Sequence, residues 1–323
     1  MKEPMRAMHE INAIEVRNLE KAYKDVPVLH DVSFTVKQGT VFALLGANGS
    51  GKTTTINILT TLIKADGGTA SVAGFDVATQ PASVREVISV TGQSAAVDYI
   101  LTARENLMLM AELRHVDDPE QVASSLLDKF DLNEAADRRL LTFSGGMRRR
   151  LDIAMSLVGE APIVFFDEPT TGLDPQSRND MWLTIRELAE KGTTIFLTTQ
   201  YLEEADRLAD QIAILHGGRV VAGGTPEELK TMVPSGLVEL DFAEDNELAV
   251  AQRALTSGHE LSRVDSKLVI ASDGSVADMA DMFIRLNNAG VEPTRFIAKE
   301  PTLDDVFFQI LGEDKEETHA NSH

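Results

Sequence analysis

Cysteine is absent from the 323 residues, which rules out disulfides and thiolate metal sites and fits a cytoplasmic protein. Histidine offers no alternative, because the seven histidines are scattered without the spacing of metal ligands. Basic residues are scarce: 30 Lys/Arg stand against 51 Asp/Glu, a formal net charge of −21. A chain of that sign is ill suited to neutralise a phosphate backbone, so no nucleic-acid partner is expected. Long apolar runs are missing too, and nothing approaches the ~20 residues of a membrane span. The opening "MKEPMRAMHEINAIEV" has no apolar core of signal-peptide length. If the protein works at a membrane, another chain has to cross it. The remaining composition is that of a folded protein, 43% hydrophobic and 25% charged. Its length suits one large domain and a smaller one.

From residue 14 to 232 short apolar runs alternate with helical patterns. "TVFALLG" (40–46), "ISVTG" (88–92), "PIVFFD" (162–167), "TTIFLTT" (193–199) and "QIAIL" (211–215) fit strands buried on both faces of a largely parallel sheet. Between the second and third runs, residues 102–140 read as a helical insertion, where "DPEQVASSLLDKF" opens on a helix-start signal. "MVPSGL" (232–237) reads as a linker. Residues 236–312 then alternate strand-like and helix-like stretches, the pattern of a small α+β domain. Residues 1–13 are an N-terminal tail, and 313–323 are expected to be disordered. The last stretch, from 236 on, holds 7 Lys/Arg against 18 Asp/Glu.

"GANGSGKTT" (46–54) fits G-x-x-x-x-G-K-[ST], with an apolar strand before it and a helical pattern after it. In that context Gly46, Ala47, Asn48, Gly49, Ser50 and Gly51 curl the backbone so that N–H groups point at phosphate oxygens. Lys52 reaches the β/γ-phosphates, the Thr53 hydroxyl ligates Mg²⁺, and Thr54 continues into the helix whose positive end faces the anion. An acidic chain can therefore still bind a nucleotide, since a local nest and one lysine suffice. "IVFFDEP" supplies the second half. Asp167, at a strand end, would hold the shell of the metal, and Glu168 is placed to orient or deprotonate water. Both motifs belong at the C-terminal edge of the sheet, where open α/β folds bind ligands.

"TFSGGMRRRLDIAMSL" (142–157) discriminates among phosphate-loop proteins. Ser144 reads as a helix N-cap, and Gly145 and Gly146 allow close backbone approach. The three arginines that follow spread around a helix rather than forming one face, so they read as solvated or paired with acidic surface. The stretch resembles the signature sequence of ABC-transporter ATPases, with Phe143 and Met147 in place of the usual Leu and Gln. Other family motifs fall in order over residues 14–232. Tyr23 in "KAYKD" matches the aromatic that stacks on adenine, although a strand aromatic can equally pack in a core. Gln93 in "VTGQ" matches the glutamine that serves both metal and catalysis, and Asp174 in "TTGLDP" matches the acidic residue of the D-loop. The resemblance implies a P-loop ABC-type domain with a helical insertion. It implies a head-to-tail pair of ATPase subunits in which Ser144, Gly145 and Gly146 meet the partner's ATP. It also implies a separate membrane permease, contacted through the insertion and the Gln93 loop at the cytoplasmic face.

"FLTTQYLEEAD" (196–206) ends an apolar strand on Gln200, where the family usually has a histidine near the γ-phosphate. An amide can donate to phosphate oxygen and accept from water, but it cannot shuttle a proton near neutrality. Sensing and orienting therefore fall to Gln200, and basicity to Glu168; a satisfied strand end is the other reading of Gln200. "LTTQYLEEAD", "SGGMRRRLDIA" and "DEPTTGLDPQSRN" look like the daunorubicin-resistance type of drug-export subunit, which implies a hydrophobic drug or amphiphile as cargo. Lipid or polysaccharide export and an importer subunit are alternatives within the family. A ribosome- or DNA-acting ATPase usually carries two ATPase units or a long coiled coil, and a non-catalytic ATP-binding regulator sits badly with intact Lys52, Asp167 and Glu168.

Overall fold

The computed structural model describes residues 12–92, 97–233, 236–256, 261–264, 267–272, 275–299, 301–307 and 309–310. Gln93 and the tail 313–323 lie outside the described residues, as does nearly all of the tail 1–13. The chain divides between Pro226 and Glu227, a few residues ahead of "MVPSGL". In chain order the first unit contains β1 (Asn12–Tyr23), β2 (Val26–Lys37), β3 (Val41–Leu45), α1 (Lys52–Leu59), β4 (Gly67–Val72), β5 (Phe75–Asp76), α2 (Pro81–Glu86), β6 (Ile88–Thr91), α3 (Ala103–Leu113), α4 (Pro119–Lys129), α5 (Gly145–Ser156), β7 (Ile163–Asp167), α6 (Pro175–Glu190), β8 (Thr194–Thr199), α7 (Leu202–Leu208), β9 (Gln211–His216) and β10 (Arg219–Gly224). The short α8 (Pro226–Lys230) stands at the division.

The apolar runs form the six-stranded sheet β10-β9-β3-β8-β7-β6. All its pairings are parallel except β10 on β9. Every residue of β3, β7 and β8 is buried, as continuous apolar strands under two covering layers must be. Parallel pairing brings the C-terminal ends of β3, β6, β7 and β8 to one edge. The residues that follow those ends are therefore neighbours in space although far apart in sequence.

A second sheet, β2-β1-β4-β5, is antiparallel and is not evident from the apolar runs. Its two long strands are half exposed, and bulges at several points of the β1–β2 ladder break the period-2 alternation. The two sheets share one core, in which Ile14, Leu19 and Val36 join Phe42, Phe165, Phe196 and the α1 residues Ile56 and Leu59. Stacked phenylalanines run through it, with Phe42 5.1 Å from Phe34 and 5.4 Å from Phe196 between ring centroids. The insertion is helical as expected. Thr102 and Glu105 close a capping box on α3, and Asp118 caps α4 with Pro119 in its first turn.

The unit from Glu227 onward holds β11 (Gly236–Asp241), α9 (Asp245–Leu255), β12 (Leu261–Val264), β13 (Lys267–Ser272), α10 (Val276–Asn288) and β14 (Arg295–Lys299). The βαββαβ order and the antiparallel sheet β12-β13-β11-β14 make it a ferredoxin-like α+β unit. Its own core packs Val238, Leu240, Leu268 and Ile270 of the sheet against Leu255, Met282 and Leu286 of the helices.

Candidate functional site

β3 releases the chain at Gly46, whose N–H donates to the Thr199 carbonyl at 3.1 Å. The loop runs to Gly51, the N-cap of α1, at φ 112°, where an L side chain is strained. Space also demands glycine at Gly46, since a Cβ there would stand 2.4 Å from the Leu215 carbonyl oxygen. Ala47, Asn48 and Gly49 face outward, while Ser50 and Lys52 are buried. Lys52 Nζ donates to the carbonyls of Gly46 (2.8 Å) and Ala47 (3.1 Å) and lies 3.4 Å from Glu168 Oε1. Ser50 Oγ, also in the loop, is buried without a hydrogen-bond partner among the described residues. An unsatisfied hydroxyl and a cation inside a curl of backbone form a cradle suited to phosphate.

β7 delivers Asp167 and Glu168. Asp167 is buried and accepts from Thr198 Oγ1 at 2.6 Å and Thr53 Oγ1 at 3.4 Å. Those two groups supply an anionic oxygen and a hydroxyl at one point. That suits Mg²⁺, which takes one or two protein oxygens and completes its shell with phosphate and water. Among the described residues no group of three or more His, Cys, Asp or Glu offers an all-protein metal cage. Glu168 stands at φ 49°, a left-handed conformation that costs a non-glycine residue about 1–2 kcal/mol. Thr198 holds it there by accepting the Glu168 N–H at both its carbonyl and its hydroxyl, 3.1 Å each. Thr171 Oγ1 donates to Glu168 Oε2 at 3.2 Å.

Gln200 lies half-buried one residue past the end of β8, next to the Thr199 carbonyl that anchors Gly46. Behind it, Glu204 of α7 is fully buried and accepts from Thr170 Oγ1 (2.7 Å) and Trp182 Nε1 (3.1 Å). The Arg178 guanidinium lies over the Tyr201 ring at 5.2 Å. Through these contacts α6, α7 and the segment after Glu168 are locked together.

Ser144 caps α5 as its sequence suggests, accepting from Met147 N at 3.2 Å. Asp174 caps α6, and the Ser177 hydroxyl and N–H that donate to it hold its carboxyl below the usual range. The two caps are neighbours: a Cβ on Gly146 would lie 3.1 Å from Ser177 Oγ, whereas Gly145 faces open space. Tyr23 is 47% exposed at the end of β1, so it does not pack in a core.

The reading of the three arginines as solvated or paired with acidic surface holds only in part: Arg150 lies 3.5 Å from the exposed Asp131 carboxylate, whereas Arg149 departs from it. Arg148 is half-buried and donates to the Phe143 carbonyl, and Arg150 donates to that of Phe130. Arg149 is buried, with hydrogen bonds to Gly92, Asp152, Asp167, Glu168 and Pro169. Burial pushes its guanidinium down from its usual range, opposed by the carboxylates of Asp152, Asp167 and Glu204. Periodicity gave no signal for Arg149, because residues 151–156 of the same helix are buried all round. Thr198 and Glu204 are further site residues that the motifs did not mark.

A family model described as ABC transporter matches residues 29–171. The daunorubicin resistance ATP-binding protein DrrA2 of Streptomyces coeruleorubidus is 42% identical over 314 residues, 95% of this chain and 98% of that protein. The daunorubicin/doxorubicin resistance ATP-binding protein DrrA of Streptomyces peucetius is 43% identical over 93% of this chain and 92% of its own. A solved structure of an ATP-binding subunit of an ABC transporter superposes with a TM-score of 0.63 at 32% identity, covering 68% of this chain and 92% of that one.

Proposed function

The chain belongs to the ABC transporter family as an ATP-binding, ATP-hydrolysing subunit, and from that premise we propose that it drives export of a hydrophobic or amphiphilic drug through a separate permease. The observation that carries the chemistry is the convergence of Lys52, Asp167 and Glu168 at one sheet edge, with Lys52 Nζ 3.4 Å from Glu168. Lys52 and the loop amides bind the β- and γ-phosphates. In the present arrangement Lys52 is held by two carbonyls and Glu168, so an arriving phosphate takes the lysine over and releases the carboxylate for water. Thr53 and Asp167 would hold Mg²⁺, which supplies neutralisation of charge on the phosphates. Glu168 orients the attacking water and accepts its proton. Gln200 donates to the γ-phosphate and aligns it with that water. Tyr23 stacks on adenine.

Ser144, Gly145 and Gly146 serve the ATP of a second subunit in a head-to-tail dimer. Support comes from the open space at Gly145 and from the N-terminus of α5, whose dipole favours an anion. Gln93 and the insertion α3–α4 face the permease. Among the described residues no helix is long and apolar enough to cross a membrane; as the ATP-binding partner of a separate permease, the chain works peripherally at the cytoplasmic face. For the cargo, the support is identity of 42–43% to daunorubicin resistance proteins over more than nine-tenths of this chain.

Glu168→Gln tests the core of this reading. The amide keeps the shape and loses the basicity, so the variant should bind Mg-ATP, cease turnover and run as a dimer on a sizing column. Near-wild-type hydrolysis would remove Glu168 from the role of base. Cells expressing the chain with its permease should accumulate less daunorubicin than cells expressing the permease alone.

A further inference from the structure

We propose that Arg149 is a positioning residue that fastens the helix led by Ser144 to the two backbone segments carrying the hydrolytic groups. The proposal rests on the ATPase reading above and is independent of the cargo. A guanidinium offers five N–H donors in a rigid planar fork. Five hydrogen bonds leave Arg149: Nε to the Pro169 carbonyl at 2.9 Å, Nη1 to the Gly92 carbonyl at 2.7 Å and to Asp152 Oδ2 at 3.1 Å, and Nη2 to the carbonyls of Asp167 at 3.1 Å and Glu168 at 3.3 Å. Its residue exposure is 9%, so water is a poor substitute for these partners.

The choice of acceptors separates positioning from charge balance. Asp152, on the same helix, is the carboxylate that pairs directly with the buried cation, and Asp167 and Glu204 add to the compensation from nearby. The four main-chain carbonyls carry no formal charge; they satisfy the remaining buried donors and, being fixed in the backbone, tie the helix to two segments. One is Asp167-Glu168-Pro169, which carries the metal-holding carboxylate and the base. The other ends at Gly92, the residue before Gln93. Glu168 sits at φ 49°, a conformation its own side chain disfavours and its surroundings must impose. Thr198 fixes its N–H, and Arg149 is the side chain that takes its carbonyl. Since Ser144 caps α5, a shift of that helix onto the partner's ATP is passed by one side chain to Glu168 and to the chain before Gln93. Hydrolysis at one ATP thereby depends on engagement at the other.

The test uses the full chain with Arg149→Lys and Arg149→Gln. Lysine keeps the charge, but its three donors radiate from one nitrogen and cannot span both segments. Binding of a fluorescent ATP analogue should stay within about twofold of wild type, because no phosphate contact is touched. Turnover per titrated binding site should fall about 10- to 100-fold, in line with small misplacements of reacting groups, with little change in KM. Glu168→Gln, assayed in parallel, reports on the underlying reading. If it alone loses turnover while folded Arg149 variants hydrolyse within about threefold of wild type, the positioning role is wrong and the ATPase reading stands. If Glu168→Gln turns over normally, that reading fails whatever Arg149 does. Should both Arg149 variants bind nucleotide weakly or fail to fold, Arg149 is a structural strut and the proposal falls.

Discussion

At the scale of residues, the site depends on side chains with two duties. Thr198 donates its hydroxyl to Asp167 and accepts from the Glu168 N–H, so one threonine sets both the carboxylate proposed to hold metal and the proposed base. Lys52 answers to Glu168 before it answers to phosphate. Gln200 has no part in those bonds, yet the residue before it anchors the first glycine of the phosphate loop. Gln200→Ala should therefore leave ATP affinity nearly intact, because Lys52, Thr53 and the loop amides still hold the nucleotide. Hydrolysis should slow substantially, with about 10²–10³ as the upper guide for loss of one preorganised donor. Gln200→His should retain part of the rate and gain a pH dependence near the histidine pKa that wild type lacks. Steady-state ATPase across mildly acidic to mildly basic pH, with affinity measured alongside, checks both. Wild-type turnover in Gln200→Ala would reduce the residue to a strand end.

At the scale of elements, legibility followed burial. β3, β7 and β8 announced themselves because both faces are covered and the chain there is continuously apolar. The phosphate loop was legible because its chemistry demands fixed residues at fixed spacing, and the cap Ser144 and the helix start at Asp118 because capping is local. β1 and β2 were not, since half-exposed bulged strands carry no clean period. Nor were Arg149 and Glu204, whose partners lie 18–57 and 22–34 residues away apart from the local Asp152 and Thr199. A sequence window cannot see that such a charge will be buried and satisfied.

Glu204 makes the point measurable. Burial holds its carboxyl above the ordinary range in the folded protein, against hydrogen bonds from Thr199, Thr170 and Trp182 that pull it down. The folded state thus takes a proton more readily than the unfolded chain. Its contribution to stability is full below the unfolded glutamate value, about 4.3, and is lost as pH rises through the raised folded value. Glu204→Gln removes this titration. The Tm of wild type relative to the variant should fall steadily from about pH 4.5 upward. Melts at closely spaced pH values read the slope whatever the absolute stability of the variant. A constant difference would mean that Glu204 does not titrate across that range.

At the scale of the whole molecule, two cores and an uneven charge set the expectation. The first unit closes its parallel sheet with the antiparallel β10 before the division at Pro226. The second builds a separate core around Val238, Leu240, Ile270 and Met282. Residues 236–323 also carry 18 of the 51 acidic residues against 7 of the 30 basic ones, so more than half of the net charge of −21 resides there. Every residue assigned above to nucleotide, metal or hydrolysis precedes that segment. A chain ending at residue 235 should therefore fold, melt cooperatively and bind Mg-ATP with an affinity within a few fold of the full protein, because a unit with its own core needs no other. It should also lose much of its acidity and elute earlier from an anion exchanger. ATP titration and thermal melting of the truncated chain decide the matter. An insoluble or non-cooperative product would mean that the ferredoxin-like unit supplies part of the core on which the phosphate loop depends.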